Sequence, residues 1–105
     1  MEQPNMSYIH SMSGGDKSFE TQLINIIKQE FPDEKAIYYK NLKAGNLKMA
    51  AENVHKLKHK ISILGLEKSY DIAVAFENNL LEGHTELDNA FESILNNMTN
   101  YINTL

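Results

Sequence analysis

Apolar residues recur at spacings of three and four along almost the whole chain, and the five glycines fall between the periodic stretches. That spacing matches the 3.6-residue helical repeat. No segment alternates apolar and polar residues with a period of two between turn signals, so strands are not expected. The last stretch is the most regular. Leu87, Phe91, Ile94, Met98, Tyr101 and Leu105 step by 4-3-4-3-4, the spacing of a bundle seam.

The remaining segments are delimited by their caps. A short first helix is expected from about Asn5 to Met12, with Tyr8, Ile9 and Met12 as apolar contacts. Ser13-Gly14-Gly15 breaks it, and Asp16 is suited to cap the next helix. That long helix places Phe19, Leu23, Ile26, Ile27 and Ile37 on one face, and Pro32 within it predicts a kink or a split. Gly45 and Asn46 supply a stop and a new N-cap. The third helix carries Leu47, Ala50, Val54, Leu57, Ile61 and Leu64 on one stripe, up to Gly65. The fourth runs from about Lys68 to Glu82, with Tyr70, Ala73, Phe76, Glu77 and Leu80 at helical spacing, and Gly83 ends it. Thr85-Glu86-Leu87-Asp88 reads as a capping box with Asp in place of Glu. Short connections between long amphipathic helices favour antiparallel neighbours. The expected fold is all-α: an up-down antiparallel four-helix bundle with a short extra N-terminal helix, in a single domain over residues 1–105.

Composition narrows the chemistry. The chain has no cysteine, which removes disulfides and thiolate metal sites. No apolar run approaches the ~18 residues of a membrane span. The N-terminus lacks the basic and then apolar regions of a signal peptide, so the expected location is the cytoplasm. The net charge is −4 and arginine is absent, which argues against nucleic acid as a partner. The charge is unevenly distributed. Seven of the ten lysines lie between Lys40 and Lys68 with only Glu52 and Glu67 as acids, giving that window +5 against −9 elsewhere. An anionic partner is expected there.

At ~100° per residue, the core stripe of the third helix centres between Val54 and Leu57, which turns His55 toward solvent. His59 and Ser62 share that side, as does Leu66 if the helix extends so far. Glu52 and Lys48 lie one and two turns back. Lys58 sits at the border with the core, one turn from His55, where its ammonium can reach a group attached to the imidazole. Lys56 adjoins the same face, and Ile63 reads as an exposed apolar residue of a docking patch. A neutral imidazole has a nucleophilic lone pair near pH 7. The plainer reading of the same pattern is a lysine-rich polar helix face.

The segment from Val54 to Leu66 resembles the signature of histidine-containing phosphotransfer (HPt) domains, in which Ala-His-x-Leu-Lys-Gly is followed six residues after its glycine by Gly-Ala or Gly-Leu. His55, Leu57, Lys58, Gly65 and Leu66 fall on matching positions. Glu77, twelve residues beyond Gly65, matches a Leu-Glu of the next helix, with Phe76 in place of the leucine. Gly14-Gly15-Asp16 and Ala44-Gly45-Asn46 resemble the family's Gly-Gly-Asp and Gly-Asp before its long helix and its histidine helix. The chain departs from the family at His59, where glycine is usual, and at Lys60, where a small polar residue is common.

The resemblance implies that His55 is phosphorylated through Nε2, with Lys58 as the supporting cation. It implies receiver domains of response regulators and a (hybrid) histidine kinase as partners. Mg²⁺ would belong to the receiver, and this chain would have no cofactor of its own. It would act as a monomeric phosphocarrier rather than an enzyme. His59 is expected to narrow access to His55 or to donate a hydrogen bond near the phosphoryl group, and Lys60 to add positive charge. Lys48, Glu52, Lys56, Ser62, Ile63 and Leu66 would form the docking face. Two rival readings use the same face. A helical adaptor would bind receivers or kinases without taking phosphate. A metal site would use His55 and His59 at i and i+4 with Glu52, although the surrounding lysines would repel a cation.

Overall fold

The computed structural model describes residues 2–105, so the start of the chain at Met1 lies outside the described residues. The described residues form five helices and no strand: α1 Ser7–Ser13, α2 Lys17–Lys43, α3 Leu47–Ile63, α4 Glu67–Leu81 and α5 Asp88–Ile102. At ~1.5 Å per residue, α2 runs about 40 Å and accounts for the 43 Å long axis of the molecule. Helix α3 packs against α2 and α4, α5 packs against α4 and α2, and α1 lies on α2. The buried apolar side chains form one cluster. No helix among the described residues is long and apolar enough to cross a membrane.

The ends of the helices follow from their residues. The Asp16 carboxylate accepts from the backbone N–H groups of Ser18 and Phe19 at 3.0 and 3.2 Å, capping α2. Helices α2, α3 and α4 close alike: Asn46 N–H donates to Asn41 O, Leu66 N–H to Ile61 O and His84 N–H to Asn79 O. The expected capping box at Thr85 does not form. Thr85 O accepts from Asp88 N–H in a turn, and α5 begins two residues later than a Thr85 cap would place it. The turn brings Leu87 down against the core. Asn46 stands at the N-cap of α3 without a side-chain hydrogen bond.

The long helix differs most from its expected face. Phe19, Ile26 and Ile37 are exposed, whereas Ile27, Phe31 and Tyr38 are buried. The inward seam is Glu20, Leu23, Ile27, Phe31, Glu34, Tyr38 and Asn41, a regular three-four spacing with polar residues at three positions. Each polar member has a partner: Glu20 meets His10, Glu34 meets Lys60, and Asn41 donates to Asn53 at 2.6 Å. Buried polar groups are tolerated on such terms. Tyr38, Phe76 and Phe91 pack edge to face or tilted, with centroids 5.2–6.2 Å apart, and tie α2 to α4 and α5. Helix α2 continues through Pro32 without a break. The carbonyl that loses its helical donor there is that of Lys28, and both residues are exposed to water.

The segment before α1 holds the corner between α3 and α4. Asn5 N–H donates to Leu64 O at 2.9 Å, and the Asn5 side chain packs onto Gly65. A Cβ at Gly65 would come within 2.7 Å of that side chain, and φ is +77° there, so this corner requires glycine. The Glu2 carboxylate accepts from Ser69 N–H at 2.6 Å and so caps α4, whose own N-cap residue, Leu66, supplies no side-chain bond. Burial pushes the Glu2 carboxyl up, but the backbone donors of Ser69 and Lys68 outweigh it and leave its pKa lowered.

Candidate functional site

Helix α3 is fixed by the stripe that the sequence indicates. Ala50, Val54, Leu57, Ile61 and Leu64 are buried, and Leu47 packs partly against them. Burying such aliphatic side chains contributes roughly 1.5–3 kcal/mol each, so the rotation of the helix is strongly determined. His55 is therefore held outward, with its side chain 57% exposed. On α4, Phe76 and Leu80 are buried, and the residue between them on the α3 side is Glu77.

Glu77 joins the two helices. Its Oε2 lies 3.2 Å from His55 Nδ1, and its Oε1 lies 2.8 Å from Lys58 Nζ. An ionised carboxylate can only accept hydrogen bonds, so His55 Nδ1–H is the donor. In the neutral ring this assigns the lone pair to Nε2, which has no hydrogen-bond partner among the described residues. The carboxylate thus fixes both ring orientation and tautomer, while the nucleophilic nitrogen stays open. Lys58 is mostly covered, at 12% exposure, and its ammonium also lies 5.7 Å from the centroid of the Tyr70 ring. Its charge is matched by Glu77 before any anion arrives.

One turn beyond His55, His59 stands with its ring perpendicular to the first, at 87°, and the centroids 5.4 Å apart. On the other side of His55 a groove of about 420 Å³ runs between α3 and α4. Lys48, Glu52 and Lys56 line it together with Ala51, Glu77 and Leu81. Leu81 is 58% exposed there. The groove offers an apolar strip with two lysines at its edge.

The structure gathers most of the residues expected at the site and places four elsewhere. His55, Lys58 and His59 are adjacent, and Lys48, Glu52 and Lys56 share the groove. Ser62 is exposed but lines a separate cleft with Asn5 and Tyr8. Leu66 is fully buried, because α3 ends before Gly65 and the reversal turns Leu66 into the core. Ile63, expected to be exposed, is half-buried against the core. Lys60, expected to add charge near His55, is buried on the α2 side. It lies 2.9 Å from Glu30 and 3.0 Å from Glu34, about 140° around the helix from His55. The open positive charge of this face is correspondingly smaller than the sequence window suggests.

Glu77, a motif position at helical spacing in the sequence, organises the site. An acid at helical spacing with Phe76 and Leu80 was the available signal. His84 lies in a loop 3.7 Å from Glu86, and His10 lies within α1 against the buried Glu20. Among the described residues no three His, Asp or Glu side chains group so as to hold a metal ion, and Glu52 does not complete the pair of histidines.

No protein-family model matches the chain, and no curated protein and no solved structure matches it.

Proposed function

We propose that this chain is an HPt domain that carries a phosphoryl group on His55 between receiver-domain aspartates. The observation that supports this reading most is the division of labour on one ring: Nδ1 is held by Glu77, and Nε2 is left open on an exposed helix face. In this reading α2 to α5 form an up-down antiparallel bundle, α1 is an accessory helix, and residues 1–105 act as one monomeric cytoplasmic domain.

The transfer step balances without a group supplied by this chain beyond the imidazole. The Nε2 lone pair attacks the phosphorus of a receiver's phospho-aspartate, the P–O bond breaks, and the aspartate leaves as a carboxylate. Nδ1 keeps its proton, so the product ring carries positive charge, and the facing Glu77 offsets it. The same charge makes the ring a ready leaving group for the reverse transfer. The receiver supplies Mg²⁺ and its acidic pocket, and a (hybrid) histidine kinase stands elsewhere in the relay. The bundle contributes orientation and access. Lys48 and Lys56 favour encounter with an acidic surface. The chain is then a phosphocarrier and not an enzyme.

The test is incubation with a purified, phosphorylated receiver, followed by separation and detection of label. Label on this chain supports the reading. A stable complex that forms without label transfer would make the chain an adaptor instead.

A further inference from the structure

Three of the four histidines have a carboxylate beside Nδ1: Glu20 at His10, Glu77 at His55 and Glu86 at His84. His59 has none among the described residues. It is exposed, and its contact is the perpendicular ring of His55, 5.4 Å away between centroids. Lys58, the cation one turn from His55, is mostly covered and already matched by Glu77 at 2.8 Å. An imidazole with uncommitted ring nitrogens therefore stands beside the proposed carrier, and the nearby cation Lys58 already has its charge committed.

We propose that His59 binds the phosphoryl group on His55, donating a ring N–H to one of its oxygens and prolonging the life of the phospho-form. This rests on the phosphocarrier reading. The geometry permits it: a phosphoryl oxygen on Nε2 lies two bonds beyond the first ring, and a second ring 5.4 Å away can turn a nitrogen to hydrogen-bonding distance. The direction of the effect follows from charge. Loss of a phosphoryl group proceeds through a loose, metaphosphate-like state in which the oxygens are less negative than in the bound group. A donor to those oxygens therefore holds the ground state more strongly than the transition state, and slows loss. A single hydrogen bond at an exposed site corresponds to about a three- to tenfold effect.

The experiment charges the chain with phosphoramidate, whose P–N bond breaks with departure of ammonia as the new P–N bond forms at Nε2. This small donor needs no docking surface. After its removal, the decay of the phospho-form is followed by ³¹P NMR in the wild type, His59→Ala and His59→Gln. Decay about three- to tenfold faster in His59→Ala, with His59→Gln close to wild type because its amide still donates, is the expected result. Equal lifetimes, or a longer one in His59→Ala, overturn the proposal. Faster charging of His59→Ala by a phosphorylated receiver, with an unchanged lifetime, also overturns it and makes His59 a steric obstacle only. The His55→Gln variant separates the two readings. If it still takes label from a phosphorylated receiver, the phosphocarrier reading fails. If it takes none while lifetimes are equal, only the role of His59 fails.

Discussion

Helix α3 contributes to two clusters of cations and carboxylates, one toward α4 and one toward α2. Toward α2, Lys60 meets Glu30 and Glu34 with its side chain 9% exposed, and every charge in the group has an opposite charge beside it. Toward α4, Glu77 meets Lys58 and His55, and the histidine remains 57% exposed with one nitrogen unoccupied. The residue types are nearly the same. In the first cluster every charge is paired, and it holds helices together. The second holds helices together and leaves a nucleophile free. A salt-bridge count would rank them alike, whereas the accounting of lone pairs and donors separates them.

The two clusters should differ most at His55. His55→Gln is expected to abolish acceptance of phosphate in a label-transfer assay while leaving the circular dichroism and melting curve unchanged, because the side chain is exposed. Retained labelling would remove the distinction between the clusters. Glu77→Gln should come next, with transfer slowed about tenfold or more, since the amide cannot offset charge on the phosphorylated ring and need not select the Nδ1–H tautomer. An unchanged rate in single-turnover transfer would show that the bridge is structural only. Lys58→Ala should slow transfer several-fold at most, because its charge is already balanced by Glu77. A loss as large as that of His55→Gln would place Lys58 on the reacting group itself.

Lys60→Met should leave transfer unchanged and act on stability alone. It removes a covered cation from two acids, one of them more than half in water, so a cost of about 1–2 kcal/mol is expected, toward the low side for a broken ion pair. Thermal melts read it as a fall of roughly 5–10 °C. The pH dependence sharpens this. Burial disfavours the Lys60 ammonium, but Glu30 and Glu34 outweigh that and raise its pKa above the ordinary 10.5. Its contribution is therefore complete below about pH 10.5 and is lost as pH rises through the folded-state value. The wild type should lose stability in that alkaline window, and Lys60→Met should lack that part of the decline. A Lys60→Met variant with wild-type melting and normal alkaline behaviour would mean that the paired cluster does not hold α3 to α2.

The sequence made the histidine helix legible because its core stripe is apolar at nearly every turn. Val54, Leu57 and Ile61 set the rotation, and the outward placement of His55 follows. The long helix is harder to orient from sequence for the opposite reason. Its seam carries Glu20, Glu34 and Asn41, and the more hydrophobic Ile26 and Ile37 point to the wrong face. Polar residues at seam positions become visible only when their partners His10, Lys60 and Asn53 are brought near by folding. Lys60 was nevertheless accessible to the sequence: five residues from His55, it cannot share the same face of a helix. Leu66 lies in the core because Gly65, at positive φ, reverses the chain before it and helical phase no longer applies. Glu77 needed the packing of α3 on α4, a relation between residues 22 apart that no local pattern contains.

In the proposed carrier, one ring nitrogen of His55 is held so that the other can react. Phosphorylating the chain from a receiver, with its histidines ¹⁵N-labelled, and determining by ³¹P–¹⁵N correlation which nitrogen bears phosphorus tests this. A single species is expected, with phosphorus on Nε2 of His55 and the proton retained on Nδ1 against Glu77. Phosphorus on Nδ1 of His55, or on His59, would contradict it.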